Sequence, residues 1–388
     1  MTAAMDAQDV RLMLDELAQF VRREVEPRVS PWERTMDAPS LQHLLGSVGE
    51  LGVLPLPADD GNAGDSPALW SDPHDAQGMA LSLGLLRELA RGNAALALAC
   101  HRRALRHWLL DELGFRQGGA LPVDESRLAL LTHGHYGLAR GSLGQWLRGR
   151  SVLSHDDDAL LADWLDRESN GSMLCAEPGW QGVLWPVWSQ QTLQWALEPA
   201  ANLQLQASTA PHGLNELTLC TVRHLGRQPP ALLSALDPLQ SRTLYARLLK
   251  MEFLGAMAMG LGVLLRGREL ARDYAAIRRQ GGAVIERHAA VQQMLSDIDG
   301  SCRLVERLLH SFAQPLDEIE LADVVAARGS SSDALLRASQ QVIQTYGGIG
   351  YMRDAGPEKL ARDQQMLRQY AGGVQALPLF LHSLRELH

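Results

Sequence analysis

Glu252 is the side chain whose surroundings best suit acid–base chemistry. It lies in Lys250–Met257, a largely apolar stretch with helical spacing. Burial in such a helix would raise the pKa of the carboxyl by desolvation, and a raised pKa suits a general base that works near neutral pH. The alternative is a glutamate on the solvent side of the helix, paired with Arg247 or Lys250. The residues alone leave both interpretations open.

Two further segments contain residue types that suit phosphate groups. Arg278 lies in Tyr274–Gly282, and a guanidinium can hold a diphosphate through paired hydrogen bonds. In Gln344–Tyr351, Gly347 and Gly348 would let a cofactor approach the backbone closely. An arginine that complements a helix C-terminus and glycines that end a helix are the simpler alternatives. Because a helix rather than a strand precedes these glycines, the run does not indicate a dinucleotide-binding fingerprint.

The remaining polar clusters are weaker candidates. His133 and His135 are only two potential ligands, which do not make a metal site, so no metal is predicted. Arg102, Arg103 and Arg106 could meet phosphate, but an exposed helical face explains them better. No Ser-His-Asp or Cys-His spacing typical of a nucleophile stands out.

The C-terminal part of the chain predicts long helices. No proline lies between Pro238 and Pro315, and this stretch is rich in Leu, Ala, Met and Arg, which favours helix. The pair Gly281-Gly282 interrupts the run, so two of the helices would pack antiparallel. We expect helices over residues of about 240–279, about 287–313 and from serine caps at 330–332 to Gly347.

The rest of the chain divides into a helical start and a middle of strands. Apolar residues have helical spacing in Val10–Val25 and Leu81–Leu113, while Pro55–Pro73 has the composition of a loop. Period-two alternation predicts half-buried strands at 191–197, 202–206 and 216–222. Five of the nine tryptophans lie between Trp164 and Trp195, as in the core of a small barrel or sandwich. We therefore predict three domains, over residues 1–122, 123–235 and 236–388.

Composition points to an ordinary globular protein in a reducing compartment. The net charge of −9 argues against a nucleic-acid partner, which would call for a basic face. The four cysteines show no metal spacing and are expected to be reduced, which fits a cytoplasmic location. Residues 1–30 are too acidic for a targeting peptide. The most apolar run, Phe253–Leu265, is shorter than the ~20 residues that span a bilayer, so no membrane partner is expected.

These C-terminal motifs resemble the acyl-CoA dehydrogenase family. Tyr274–Gly282, Gln344–Tyr351, Lys359–Asp363 and Tyr370–Gly373 are similar to its signature segments. The last corresponds to a family Tyr-Glu-Gly-Thr segment in which the glutamate is usually the catalytic base. Ala371 stands at the glutamate position and Gly373 at the threonine position. The resemblance implies a mainly α fold, with an N-terminal helical domain, a middle β domain (barrel or sandwich) and a C-terminal four-helix bundle.

The resemblance also implies roles for individual residues. Glu252 precedes Arg278 by 26 residues, the position where isovaleryl and long-chain members place their base. Tyr370, Ala371 and Gly372 would line the substrate, with the Ala371 N–H available to the thioester carbonyl. The residues implied to bind FAD are Arg278, Gln280, Gln344, Gly347, Gly348 and Thr132, the arginine reaching the FAD pyrophosphate of a neighbouring subunit.

The implied activity is that of an FAD-dependent acyl-CoA dehydrogenase. Such an enzyme desaturates an acyl-CoA between Cα and Cβ and passes electrons to an electron-transfer flavoprotein. We expect a homo-oligomer, a tetramer built as a dimer of dimers. Two alternatives stay open: a catalytically degenerate subunit of a heteromer with a related chain, and a flavin oxidase or monooxygenase on the same fold.

Overall fold

The N-terminal region of the chain is helical. The computed structural model describes residues 7–30, 32, 34–54, 69–117, 121–135, 138, 141–149, 153–207, 211–226 and 229–385. Its first helices are α1 (Ala7–Phe20), which continues into a π-helical turn at Val21–Val25, α2 (Glu26–Val29), α3 (Ala38–Glu50), α4 (Ala76–Gly92) and α5 (Ala94–Glu112). Most of the predicted loop at Pro55–Pro73 lies outside the described residues.

Asn93 divides the predicted helix at Leu81–Leu113 into α4 and α5. Its backbone is extended, with φ −157° and ψ 122°, and its side-chain oxygen accepts a hydrogen bond from the Leu96 N–H at 2.8 Å. An asparagine in this position starts a new helix, because it satisfies an amide that has no partner within the helix. The Asn93 amide nitrogen also donates to Glu216 at 2.9 Å, which ties the break to the middle of the chain.

The middle of the chain contains two small sheets. Its elements are β1 (Leu128–Leu130), α6 (Ser142–Leu147), α7 (His155–Leu165), β2 (Ser172–Ala176), β3 (Gly182–Ser189), β4 (Thr192–Pro199), β5 (Leu203–Ala207), β6 (Thr218–His224) and β7 (Leu232–Leu233). The strand order is β1-β3-β4-β7 in one sheet and β2-β6-β5 in the other. The three predicted strands are confirmed as β4, β5 and β6, with ends shifted by one or two residues.

The prediction that the alternating strands are half-buried is wrong for β4. Every residue from Thr192 to Glu198 is buried. Trp195 packs into the core shared with the helices, whereas Ala196 packs into a smaller core between the two sheets. The strand is covered on both faces, so alternation in its sequence could not reveal its true burial.

The C-terminal region contains the longest helices. They are α8 (Pro238–Ile277), α9 (Ala289–Ser311), α10 (Leu321–Tyr346), α11 (Pro357–Gln369) and α12 (Leu377–Arg385), and a hairpin of β8 (Arg279–Gln280) and β9 (Ala283–Val284) separates α8 from α9. Asp237 caps α8 through the amides of Leu239 and Gln240, with Pro238 in the first turn. The change from helices to strands and back falls within 113–127 and 234–237; the domain boundaries themselves stay a prediction.

The predicted start of α10 is wrong. The helix begins at Leu321, nine residues before Ser330, so the serines at 330–332 lie inside it. Their hydroxyls bond back to carbonyls of the preceding turn, as in Ser332 Oγ to Arg328 O at 2.7 Å. Serine can satisfy its hydroxyl in this way within a helix, so a serine cluster does not by itself mark a cap.

The helix α8 is long and apolar enough to cross a membrane by length and composition alone. The expectation that its apolar run is too short therefore does not hold for the helix as a whole. In its most apolar window, however, 94% of the residues are buried inside the protein. This is the burial of a core helix, and α4, α9, α10 and α11 pack around it.

Candidate functional site

Glu252 lies at the centre of a buried polar cluster. It is on α8, and its side chain has no exposed surface. The Arg102 Nη1 atom donates to Glu252 Oε1 at 2.6 Å, and His101 Nε2 lies 3.3 Å from Oε2. The Tyr370 hydroxyl, which follows α11, also donates to Oε2. The predicted alternative, a glutamate facing solvent beside Arg247 or Lys250, is wrong.

The His101 ring is held in one orientation by Trp70. The Trp70 indole N–H can only donate, and it lies 2.9 Å from His101 Nδ1. The neutral imidazole therefore carries its proton on Nε2 and donates it to Glu252. Close packing of α5 on α8 permits this contact, since a Cβ at Gly255 would lie 2.4 Å from the His101 ring.

Arg102 connects the three regions of the chain. From α5, its Nη2 donates to the Leu130 carbonyl at 2.5 Å and its Nη1 lies 3.5 Å from Thr132 Oγ1. Its guanidinium also lies over the Tyr370 ring, 5.2 Å from the ring centre. The side chain thus holds the edge of the β region, α8 and the segment after α11 around one carboxylate.

The predicted rise in the pKa of Glu252 is wrong. Burial alone would raise it, but the Arg102 charge and the hydrogen bonds from His101 and Tyr370 outweigh desolvation and lower the pKa to about 2. Burial lowers the pKa of His101, which keeps that ring neutral. Burial raises the pKa of the Tyr370 hydroxyl well above 10, so it stays a donor. Glu252 is therefore an ionised carboxylate whose two oxygens both have partners.

Ala371 shapes the turn that delivers Tyr370. Its backbone has φ 55° and ψ 45°, in the left-handed region, and its side chain is buried. Gly372 and Gly373 follow with φ 89° and φ 74°. Three consecutive positive φ angles reverse the chain after α11, and the glycines make this reversal possible without steric strain at two of the three positions. The position carries no carboxylate, so Glu252 is the acid next to Tyr370.

Five of the six residues predicted to bind FAD lie at the other end of α8. Arg278 ends that helix, and the Tyr274 and Tyr346 rings stack at 4.1 Å, which joins the end of α8 to the end of α10. Glu252 is 26 residues earlier on the same helix, which at 1.5 Å per residue is about 39 Å away. Gln280, Gln344, Gly347 and Gly348 belong to this distant end.

This distant surface fits a phosphate-containing ligand. Arg278 is exposed, and within the described part of the chain no carboxylate pairs with it. A side-chain carbon at Gly347 or Gly348 would meet nothing within 4 Å, so the backbone there is open to close approach. Gln344 is exposed and donates to the Tyr351 hydroxyl at 3.0 Å, and the Gln280 carbonyl lies 3.0 Å from His288 Nε2.

Thr132 is the predicted cofactor residue that the structure separates from that surface. It is 1% exposed, its hydroxyl lies beside Arg102, and its carbonyl accepts from the Tyr245 hydroxyl at 2.7 Å. Its hydroxyl and its carbonyl therefore already have partners within the chain.

The main residues missed from the sequence are His101 and Arg102. The expectation of an exposed arginine face is wrong, because Arg102 and Arg106 are 9% and 4% exposed. The available signal was their position in an otherwise apolar helix, Ala94–Leu110, where buried charges need partners. No group of three or more His, Cys, Asp or Glu residues suited to a metal occurs in the parts of the chain that the structure describes.

Comparison with known proteins identifies the fold and the C-terminal part. Residues 243–377 match the model of the acyl-CoA dehydrogenase C-terminal domain. Over these residues the chain is similar to the acyl-CoA dehydrogenase family. This confirms the resemblance predicted from the motifs, and the predicted fold is confirmed by solved structures.

Two structures of glutaryl-CoA dehydrogenase from Mycobacterium smegmatis superpose with TM-scores of 0.73 and 0.66, at 15% and 14% identity. The first alignment covers 100% of this chain and 97% of the other; the second, a complex with FADH2, covers 98% and 95%.

Curated relatives match over a shorter stretch. An acyl-CoA dehydrogenase from Bacillus subtilis (strain 168) is 31% identical over 122 residues, which is 31% of this chain and 32% of the relative. The 3-sulfinopropanoyl-CoA desulfinase of Paraburkholderia xenovorans (strain LB400) is 28% identical over 124 residues, 32% of each chain. The chain thus matches about a third of the length of these relatives, and the two relatives differ in their reactions.

Proposed function

We propose that the protein is an FAD-dependent acyl-CoA dehydrogenase that uses Glu252 as its base. The observation that carries the proposal is the buried, ionised Glu252 carboxylate in contact with Tyr370, directly before the Ala371 position where most members of the family have their base. A carboxylate that is ionised at every physiological pH is in the protonation state that proton abstraction requires.

FAD, when bound, would accept the hydride that leaves the β-carbon of the thioester. Arg278 would hold its pyrophosphate and Gln344, Gly347 and Gly348 its adenosine side, with Gln280 as a further cofactor contact. About 39 Å of helix separates Arg278 from Glu252 in one chain. The proposal therefore places the Arg278 of a second copy at each active site, and a homo-oligomer follows from it. Electrons would then pass to an electron-transfer flavoprotein.

Glu252 already accepts three hydrogen bonds, so most of the lone pairs that could take the α-proton are occupied. Its Oε1 is held by Arg102, while Oε2 accepts from His101 and Tyr370. Displacement of the Tyr370 hydroxyl by the thioester would free part of Oε2 while Arg102 and His101 keep the carboxylate oriented. Tyr370, Ala371 and Gly372 would then line the acyl group beside the base.

The test is an anaerobic titration of the flavin-loaded protein with acyl-CoA thioesters of different chain length. Bleaching of the flavin absorbance, with formation of the enoyl-CoA, supports the proposal. A flavin that stays oxidised with every thioester, in a protein that binds flavin stoichiometrically, contradicts it.

A second function, that of a non-catalytic subunit, is favoured by the same cluster. Three donors hold Glu252, and its pKa of about 2 makes it a weak base. In that case the chain would complete the site of a related, catalytic chain. If the chain is such a subunit, the purified protein should gain flavin or activity only after it is mixed with that catalytic chain. Rapid reoxidation of reduced flavin by oxygen would instead indicate an oxidase or monooxygenase.

A further inference from the structure

A second polar site is lined in part by Arg102 but not by Glu252. A cleft of about 540 Å³ separates α3 and α5 from the β region, a volume typical of small-molecule sites. Leu98, Leu130 and Trp180 contribute apolar walls. The charged side chains that line it are Arg102, Arg103, Arg106, Arg127, Asp124 and Glu177. Cations therefore outnumber carboxylates in this cleft.

Two of these arginines are neutralised within the protein. Arg102 pairs with Glu252, and Arg103 Nε donates to Glu177 Oε1 at 2.7 Å. Since Glu177 is taken by Arg103, Asp124 is the cleft carboxylate that remains. Asp124 is exposed and accepts from the Ser126 amide at 2.9 Å, capping the short turn that follows it.

Among the described residues, Arg106 is a buried cation of this cleft that forms no salt bridge. It is 4% exposed, its Nη1 donates to the Leu128 carbonyl, and its Nε has no partner. The nearby Glu125 is hydrogen-bonded to His107 at 2.8 Å instead. Burial lowers the pKa of Arg106 to about 10, yet the group stays charged at neutral pH. A buried guanidinium without an acidic partner is costly, and an anion would relieve that cost.

We propose that this cleft binds a small organic anion through a carboxylate or phosphate group that Arg106 contacts. The planar guanidinium presents donors in the geometry that both oxyanions accept. Arg127 is exposed on the same cleft and has no acidic partner among the described residues, so it adds attraction at the solvent side. The site is independent of the reaction proposed for Glu252, because binding requires neither flavin nor turnover.

Calorimetric titration of the full-length protein tests the site. The probes are glutarate, inorganic phosphate and glutaramide, which matches glutarate in shape but has no charge. We expect binding of one or both anions and none of the amide, and the preferred anion distinguishes a carboxylate ligand from a phosphate ligand. Absence of binding by both anions at millimolar concentration would overturn the proposal.

Matched variants locate the binding. Arg106→Met should lower the affinity for the anion by about tenfold or more, because the substitution removes a charge-assisted hydrogen bond. Arg106→Lys should recover part of the affinity, and Arg127→Gln should weaken binding by a smaller factor. Arg337→Gln, at an exposed position on α10, should change nothing. If Arg106→Met fails to fold by circular dichroism, the lysine and Arg127 variants decide. Equal affinity in all cleft variants, or an equal loss in Arg337→Gln, would refute the assignment.

Discussion

The ionised state of Glu252, held by Arg102, His101 and Tyr370, should contribute several kcal/mol to the stability of the fold. The pKa of Glu252 falls from 4.5 to about 2, and each pKa unit corresponds to about 1.4 kcal/mol, so ionisation is favoured by about 3 kcal/mol in the folded state. Because the folded pKa is lowered, this contribution is present above pH ~4.5 and is lost as the pH falls towards ~2. Removing one partner leaves the other charge buried, which costs about 3–5 kcal/mol.

A double-mutant cycle measures this coupling directly. Urea unfolding followed by circular dichroism is compared for the parent, Arg102→Met, Glu252→Gln and the double variant at pH 7. Each single variant should lose about 3–5 kcal/mol, and the double variant should lose much less than the sum of the two. The control is the partly exposed pair of Arg247 and Asp317, 2.7 Å apart, which should couple by ~1 kcal/mol or less. Equal coupling in the two pairs would refute the reasoning.

Three further predictions concern flavin, assembly and pH. Arg278→Ala should lose most bound FAD by visible absorbance after gel filtration, whereas the neighbouring Arg279→Ala should keep it; equal retention would remove Arg278 from the site. Light scattering at micromolar concentration should show an oligomer, and a monomer would contradict a shared site. The rate of flavin reduction should not fall through protonation of Glu252 between about pH 5 and 8, since the pKa of that carboxyl is about 2. In Arg102→Met, desolvation should dominate and raise the pKa of Glu252, so the rate should begin to fall at a pH closer to neutrality.

Secondary structure was predictable wherever one local signal dominated. Asp237 and Pro238 mark the start of α8, and the alternating strands were found to within two residues. The sequence predicted helix ends less accurately where polar residues mark them. Asn93 interrupts a continuous apolar pattern because it caps α5, and Ser330 sits inside α10 although it resembles a cap. In each case, the side-chain hydrogen bond that decides the outcome depends on the surrounding structure.

The candidate site was predictable by position but not in its electrostatics. A buried Glu252 was one of the two interpretations that the sequence left open, and the structure shows the carboxylate buried. Its charge partner Arg102 is 150 residues away in the sequence, and no local pattern indicates that contact. Desolvation can be read from an apolar helix, whereas the guanidinium that reverses the pKa shift comes from the packing of α5 against α8. The same limit applies to Arg106, whose burial follows from its position against β1.

The role of Glu252 in proton abstraction is tested most directly by the rate of flavin reduction. Rapid anaerobic mixing of an acyl-CoA with flavin-loaded protein is compared for the parent, Glu252→Gln and Glu112→Gln, an exposed site at the end of α5. Glutamine keeps the shape of the side chain and removes the base. The account predicts a fall of about 10²-fold or more in Glu252→Gln with flavin retained, and no change in Glu112→Gln. A reduction rate in Glu252→Gln equal to that of the parent would contradict it.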